Sequence, residues 1–229
     1  MGVIGTMYMN AANLNRQNIV DLLDADGVAK ILDVGCDDGY WSMQYSEKIR
    51  SPHIYGVDVV EERLAQAKAV GVDSSNADII EGLPYEDNFF DVVVSNQVIE
   101  HVANVDKFCQ EVHRTLKPGG YAVISTENAS SWINVMAVAM GWQMFSLTNL
   151  SSTYLGLGNP MAQLRGQKLD LPSWSHKTIF SYQGLKEFFE VYGFRVEKIV
   201  GAGYFPAPAR FGKIDPRHGH FITIKAYKK

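Results

Sequence analysis

Cysteine is scarce: the chain of 229 residues holds two, Cys36 and Cys109, with no paired spacing of the metal-binding kind. Both fall in segments patterned as interior, so buried free thiols are expected rather than a disulfide. No apolar run reaches the roughly eighteen residues of a membrane-spanning helix. The first ten residues lack a basic stretch leading into an apolar one, so no signal peptide is expected and the chain reads as cytoplasmic. A basic excess is also missing. With 21 Lys and Arg against 25 Asp and Glu, the formal charge of −4 argues against general affinity for nucleic-acid phosphates. Lys213, Arg217, Lys225, Lys228 and Lys229 crowd the C-terminus and read as a solvated face. Residues 128–164 contain no Asp, Glu, Lys, Arg or His at all.

What is present is patterned for folding. Apolar residues make up 46% of the chain and charged residues 20%, a globular balance at a length that suits one domain over 1–229. Residues 13–23 carry an amphipathic helical period. Then come a strand at 30–34, a helix at 40–49, a strand at 54–58 and a helix at 61–70. A short third strand is expected at Asp78-Ile79-Ile80, a buried fourth at 91–95, and a helix at 106–116 that stops before Lys117-Pro118-Gly119-Gly120. A fifth strand at 121–125 precedes the uncharged segment, read with its flank as an insertion over 128–176. The pattern resumes with a helix at 182–192 and strands at 195–200 and 220–227. Alternating strands and helices imply crossover connections and a mostly parallel, doubly wound α/β sheet with ligands beyond the strands' carboxyl ends.

The turn after the first strand, Asp33-Val34-Gly35-Cys36-Asp37-Asp38-Gly39, carries the first chemical signal. Glycine there lets backbone approach a ligand at the N-terminus of the following helix. A dinucleotide fingerprint would need glycine at 35, 37 and 40, but Asp37 and Tyr40 break it, which opposes a nicotinamide oxidoreductase. A Walker A loop fails too, because no Gly-Lys-Ser/Thr follows. Asp58, ending the second strand, can accept both hydroxyls of a ribose.

These residues, with Asp78-Ile79-Ile80-Glu81-Gly82-Leu83-Pro84-Tyr85-Glu86-Asp87-Asn88-Phe89-Phe90-Asp91 and Gln97-Val98-Ile99-Glu100-His101-Val102, resemble the class I S-adenosylmethionine (SAM)-dependent methyltransferases of the type 11 kind. The likeness spans about residues 31–125 and resumes around 184–196. It implies a Rossmann-like sheet of seven strands with the last antiparallel, SAM as cofactor, and a pocket lined by Asp33, Gly35, Cys36, Gly39, Tyr40, Asp58, Val59, Asp78, Ile79, Asn96 and Gln97. Asp78 and Ile79 would hold the adenine, and Asn96 would lie beside the methionine part. Asp37 departs from the family's usual glycine and brings bulk and charge toward the cofactor unless it turns outward. That departure keeps a SAM-binding sensor or partner subunit without catalysis in play as an alternative.

Methyl transfer from a sulfonium chiefly requires in-line placement of the acceptor, and a hydroxyl or amine acceptor also benefits from a base. His101 and His176 are the candidates. His218 and His220 read as structural, and no local His, Cys and acid spacing suggests a metal. The uncharged segment is read as a cap supplying apolar surface to a small-molecule, glycan or lipid-precursor acceptor. Plain core packing, or contact of residues 132–147 with a membrane surface, are its other readings.

Overall fold

The computed structural model describes residues 3–162, 164–170 and 172–229. A seven-stranded sheet runs in the order β3-β2-β1-β4-β5-β7-β6, with β1 Ile31–Val34, β2 Ile54–Asp58, β3 Asp73–Asn76, β4 Phe90–Asn96, β5 Leu116–Glu127, β6 Phe194–Ala202 and β7 Phe221–Lys228. The first five strands are parallel, and β7 runs antiparallel between β5 and β6, as expected. Alternation along the strands divides the core. On one face Leu32, Val34, Val93, Ala122 and Ile124 pack with Phe108, Cys109 and Val112 of α4 (Val105–Thr115) and Leu185 and Phe189 of α6 (Tyr182–Val191). On the other, Ile31, Ile54, Val92, Val94 and Val123 pack with Ile19 and Leu22 of α1 (Val3–Leu22), Tyr45 and Ile49 of α2 (Tyr40–Ile49), and Leu64 and Ala67 of α3 (Glu61–Ala69). Both cysteines are buried free thiols. No described helix is long and apolar enough to cross a membrane.

The order reverses between β1 and β4, so the carboxyl ends of these strands open a crevice there. Three readings need correction. The third strand is Asp73–Asn76, whereas Asp78-Ile79-Ile80 forms a turn in which the Asp78 carboxylate accepts the Ile80 N–H at 3.1 Å. Its apolar pair suggested a strand because Ile79 is buried, but it fills the core from a turn. The first helix starts ten residues earlier than its amphipathic period, at Val3 rather than residue 13. The C-terminal lysines are not a uniformly solvated face. Lys225 is 5% exposed, and its ammonium sits 2.6 Å from Asp24 and over the Tyr121 ring. Lys228 donates to the carbonyls of His113 and Leu116.

Between β5 and α6 the uncharged segment folds through α5 (Trp132–Ala139) and irregular chain held by amide side chains. Asn128 Nδ2 donates to the Arg217 and Gly219 carbonyls, Asn134 Nδ2 to Asn128 O and Ser146 Oγ, and Asn159 Nδ2 to Gln143 O. All three asparagines are fully buried. Neutral amides satisfy the turning backbone without the cost of burying charge. α5 buries Ile133, Asn134 and Ala137 and exposes Val135, Met136 and Val138, with Met140 exposed just after it.

At the base of α4, Glu111 is 3% exposed and accepts the Leu83 N–H at 2.8 Å as well as Lys107 and Arg114. Burial would raise its pKa, but these donors outweigh it and hold it at about 2. A carboxylate depressed in the folded state stabilises above its unfolded pKa, and that contribution fades as pH falls toward about 2. Glu111→Ala should therefore cost about 3 kcal/mol at neutral pH, as expected when one partner of a buried pair is removed. In denaturant titrations the gap from the parent should close below about pH 4.

Candidate active site

The turn after β1 is built on the ends of β1 and β2. Gly35 and Cys36 donate to the Val57 carbonyl at 2.8 and 3.1 Å, and the Asp37 N–H donates to Asp58 Oδ2 at 3.0 Å. Gly35 has φ +80°, and a Cβ there would lie 2.4 Å from Val98 Cγ2. The glycine is thus demanded by Val98 folding over the turn as well as by the backbone. Gly39 (φ +81°) is buried against α3, 2.8 Å from Ala67 Cα for an added Cβ, so it serves helix packing. Cys36 points its sulfur into the core at Gly56. Asp33 is 3% exposed and accepts the Ser42 hydroxyl at 2.6 Å, and burial raises its pKa to about 7. Of the eleven residues expected around a cofactor, Asp33, Cys36, Gly39 and Ile79 are buried and build the scaffold. Tyr40, Val59 and Asp78 are exposed.

Asp58, at the end of β2, accepts one backbone N–H on each carboxylate oxygen, from Asp37 and Val60. Each oxygen retains a lone pair, which is the donor-accepting capacity a ribose diol needs. Asp37 (φ +48°) does turn outward, to Arg63 at 3.2 Å on α3. Beyond β4, Asn96 Oδ1 accepts the Asn15 amide at 3.1 Å, and Gln97 (φ +58°) donates to Ser125.

Beyond the ends of β5 and β6 lies a cavity of about 930 Å³. Its walls come from α1 (Met7, Tyr8), the insertion (Ile133, Phe145, Leu155) and the 203–209 loop after β6. His101, Glu127, His176 and His220 also face it. The two candidate histidines meet here, with ring centroids 4.6 Å apart. Burial, then the neighbouring His176, pushes the His101 pKa down to about 4, so the ring is neutral at ordinary pH. Glu100 is 1% exposed, and burial raises its pKa to about 8. Among the described residues, Glu100 Oε1, Glu127 Oε2 and His220 Nε2 are buried without a hydrogen-bond partner. The His220 ring packs edge-on against Tyr8 and Phe221. The His218 ring stacks on Trp132 and bonds Asp215 at 2.8 Å.

Glu100, Glu127 and Tyr8 escaped the sequence reading, in which His220 was named only as structural. Glu127 and His220 flank the β5–β7 pairing, where Glu127 opposes Phe221, and only that antiparallel register brings them together.

Strand order, an acid ending β2, and a crevice at the β1–β4 reversal define an α/β sheet of the nucleotide-cofactor kind. Residues 32–124 match the family described as a methyltransferase domain. The chain is 31% identical over 119 residues to a malonyl-[acyl-carrier protein] O-methyltransferase of Erwinia billingiae, covering 52% of this chain and 45% of that one. It is 30% identical over 113 residues to a demethylmenaquinone methyltransferase of Staphylococcus epidermidis, covering 47% of each. It thus spans about half the length of these curated relatives. A SAM-dependent methyltransferase from Thermotoga maritima shares the fold, with a TM-score of 0.66 at 19% identity over 98% of this chain and 92% of that one. Over residues 32–124 the chain is thus similar to methyltransferase domains, and its sheet shares the fold of a SAM-dependent methyltransferase.

Asp37→Gly relieves a positive φ and gives up an exposed ion pair worth about 0–1 kcal/mol. Stability by thermal melting should change by under about 1 kcal/mol. Calorimetric affinity for S-adenosylhomocysteine should equal or exceed the parent's, and a marked loss would place Asp37 in direct contact with the ligand.

Proposed function

We propose that the protein transfers a methyl group from SAM to a small-molecule, glycan or lipid-precursor acceptor held in the cavity beneath the insertion. The observation that carries this reading is the pairing of two sites at the sheet's carboxyl edge, joined by the short stretch from Asn96 to His101. On one side stands the Asp58 carboxylate beside the Gly35 turn. On the other is a cavity of about 930 Å³ with buried, unpartnered polar atoms in and beside its wall. Such atoms cost free energy unless a ligand engages them.

The residues fit the cofactor. Asp58 has two lone pairs for the ribose hydroxyls, and the exposed Asp78 and the backbone of Ile79 lie near the edge of the sheet beyond β3 for the adenine. Asn96 and Gln97 stand at the end of β4 for the methionine portion. When bound, SAM supplies an electrophilic methyl on a sulfonium, transferred by in-line displacement. The cavity holds the acceptor and excludes water from it, and its apolar wall suits an acceptor with a hydrocarbon portion. His101 stays neutral, with Nδ1 against the Ser175 carbonyl at 3.2 Å, leaving Nε2 a free lone pair at the cavity. A pKa of about 4 makes it a weak base and suits it to orienting the acceptor. The Asp37 carboxylate turns outward to Arg63, which supports room for the cofactor at this turn.

Two measurements test the reading. Asp58→Ala should weaken S-adenosylhomocysteine binding by about 1.5–3 kcal/mol in calorimetry, and undiminished affinity would remove the ribose assignment. Replacing residues 132–160 with a short Gly-Ser linker should abolish SAM-dependent mass gain in a metabolite-extract screen. Affinity for SAM should stay within about threefold, under roughly 0.7 kcal/mol. A folded deletion variant that loses SAM binding would instead put the insertion over the cofactor.

A further inference from the structure

We infer that Glu100, His101 and His176 form a binding site for a divalent transition-metal ion at the cavity wall. One ligand atom from each lies within 4.8 Å of the others. Bonds of about 2.0–2.2 Å place adjacent ligand atoms about 3–4 Å apart, so closure requires a contraction of about 1 Å.

Two independent observations point to an occupant. First, both imidazoles are held in the orientation a metal needs. His101 Nδ1 lies 3.2 Å from the Ser175 carbonyl and His176 Nδ1 2.6 Å from the Ser146 carbonyl. A carbonyl oxygen only accepts, so each Nδ1 carries its hydrogen and each Nε2 presents a lone pair. Proteins orient metal-binding imidazoles in this way. Both backbone anchors lie in the insertion, far along the chain from His101, which explains why no local sequence spacing reveals the cluster. Second, Glu100 is 1% exposed, its Oε2 accepts the Thr126 hydroxyl at 3.0 Å, and its Oε1 has no partner among the described residues. A bare carboxylate oxygen in the interior is costly, and a cation beside it removes that cost.

Two imidazole nitrogens and one carboxylate suit Zn²⁺, Mn²⁺, Fe²⁺ or Co²⁺ rather than Mg²⁺ or Ca²⁺, which take oxygen-rich sets. Three protein ligands leave coordination positions open, as in catalytic rather than structural sites. His101 and His176 both line the cavity, so the open positions face it. An acceptor bearing a hydroxyl or enol oxygen would take one of them. That last step rests on the acceptor occupying the cavity, as proposed above, whereas the cation site itself does not.

The test uses the full chain freed of metal by chelation, with neither SAM nor acceptor present. Zn²⁺ and Mn²⁺ are titrated by calorimetry, and Co²⁺ by visible absorption. One ion per chain should bind, with Co²⁺ bands shifted and intensified by nitrogen ligation. Glu100→Gln and His176→Ala should each weaken Zn²⁺ binding by more than about tenfold. His218→Ala, at the separate Asp215 pair, should leave it unchanged. Absence of stoichiometric binding, or a Co²⁺ spectrum like that of the aqueous ion, overturns the site on the parent protein alone. So does undiminished binding in the Glu100→Gln/His176→Ala variant. Cation binding without methyl transfer to any acceptor would count against the proposed function and leave the site standing. Transfer by a chain that binds no cation would do the reverse.

Discussion

The site depends on one buried amide. Asn15 of α1 is 2% exposed and donates to Asn96 Oδ1 at 3.1 Å, while its own carbonyl oxygen accepts the hydroxyls of Ser125 and Thr223, each at 2.9 Å. One side chain thereby joins the carboxyl ends of β4 and β5 to β7. Satisfied buried networks of this kind are rigid, because losing one member strands the others without water to replace it. The amide fixes α1 across the sheet's edge. One turn further toward the N-terminus Ala11, and two turns further Tyr8 and Met7, of the same helix wall the cavity. The end of β4 and the cavity therefore share a rigid border.

The insertion is held to this border by a different device. Trp132 stacks on His218 at 4.2 Å and donates to the Tyr204 hydroxyl, which donates in turn to Asp215. At its far end, the N–H groups of Lys177 and Thr178 donate to the Glu100 carbonyl. Between these fastenings residues 132–164 carry no charge and rely on buried asparagines and apolar contact, and Ile133, Phe145 and Leu155 present hydrocarbon to the cavity, whereas Lys168 and Asp170 bring charge to its wall. The fastening at Glu100 also sets the positions of Ser175 and His176, so the geometry of the histidine pair depends on how the insertion returns to the sheet.

Much of this fold was legible in the sequence, and the misses have physical causes. Tyr40–Ile49 and Ile54–Asp58 match the reading residue for residue, because a glycine-rich turn and buried periodicity bound them. Asp73–Asn76 did not, since Asp-Ser-Ser-Asn carries no strand pattern and is held by pairing with β2 alone. The first ten residues of α1 lack a clean amphipathic period because that part of the helix faces a cavity instead of the core. Gly35 was read as clearance for a ligand, whereas Val98 occupies the space its missing Cβ leaves. The direction of Asp37 depends on Arg63, an ion pair across two elements that no local motif encodes. The cluster at the cavity was half visible: His101 and His176 were named, but Glu100, Glu127 and His220 became neighbours only through sheet register and the return of the insertion.

The central claim is that cofactor and acceptor occupy adjoining, separately built sites. Hydrogen–deuterium exchange with and without S-adenosylhomocysteine tests it most directly, because protection reports where a ligand suppresses local opening. The account predicts added protection at residues 35–40, 58–60, 78–81 and 96–97, with little change across 145–170. Protection concentrated in 145–170 and 203–209, with the Gly35 turn unaffected, would contradict it and move the cofactor into the cavity.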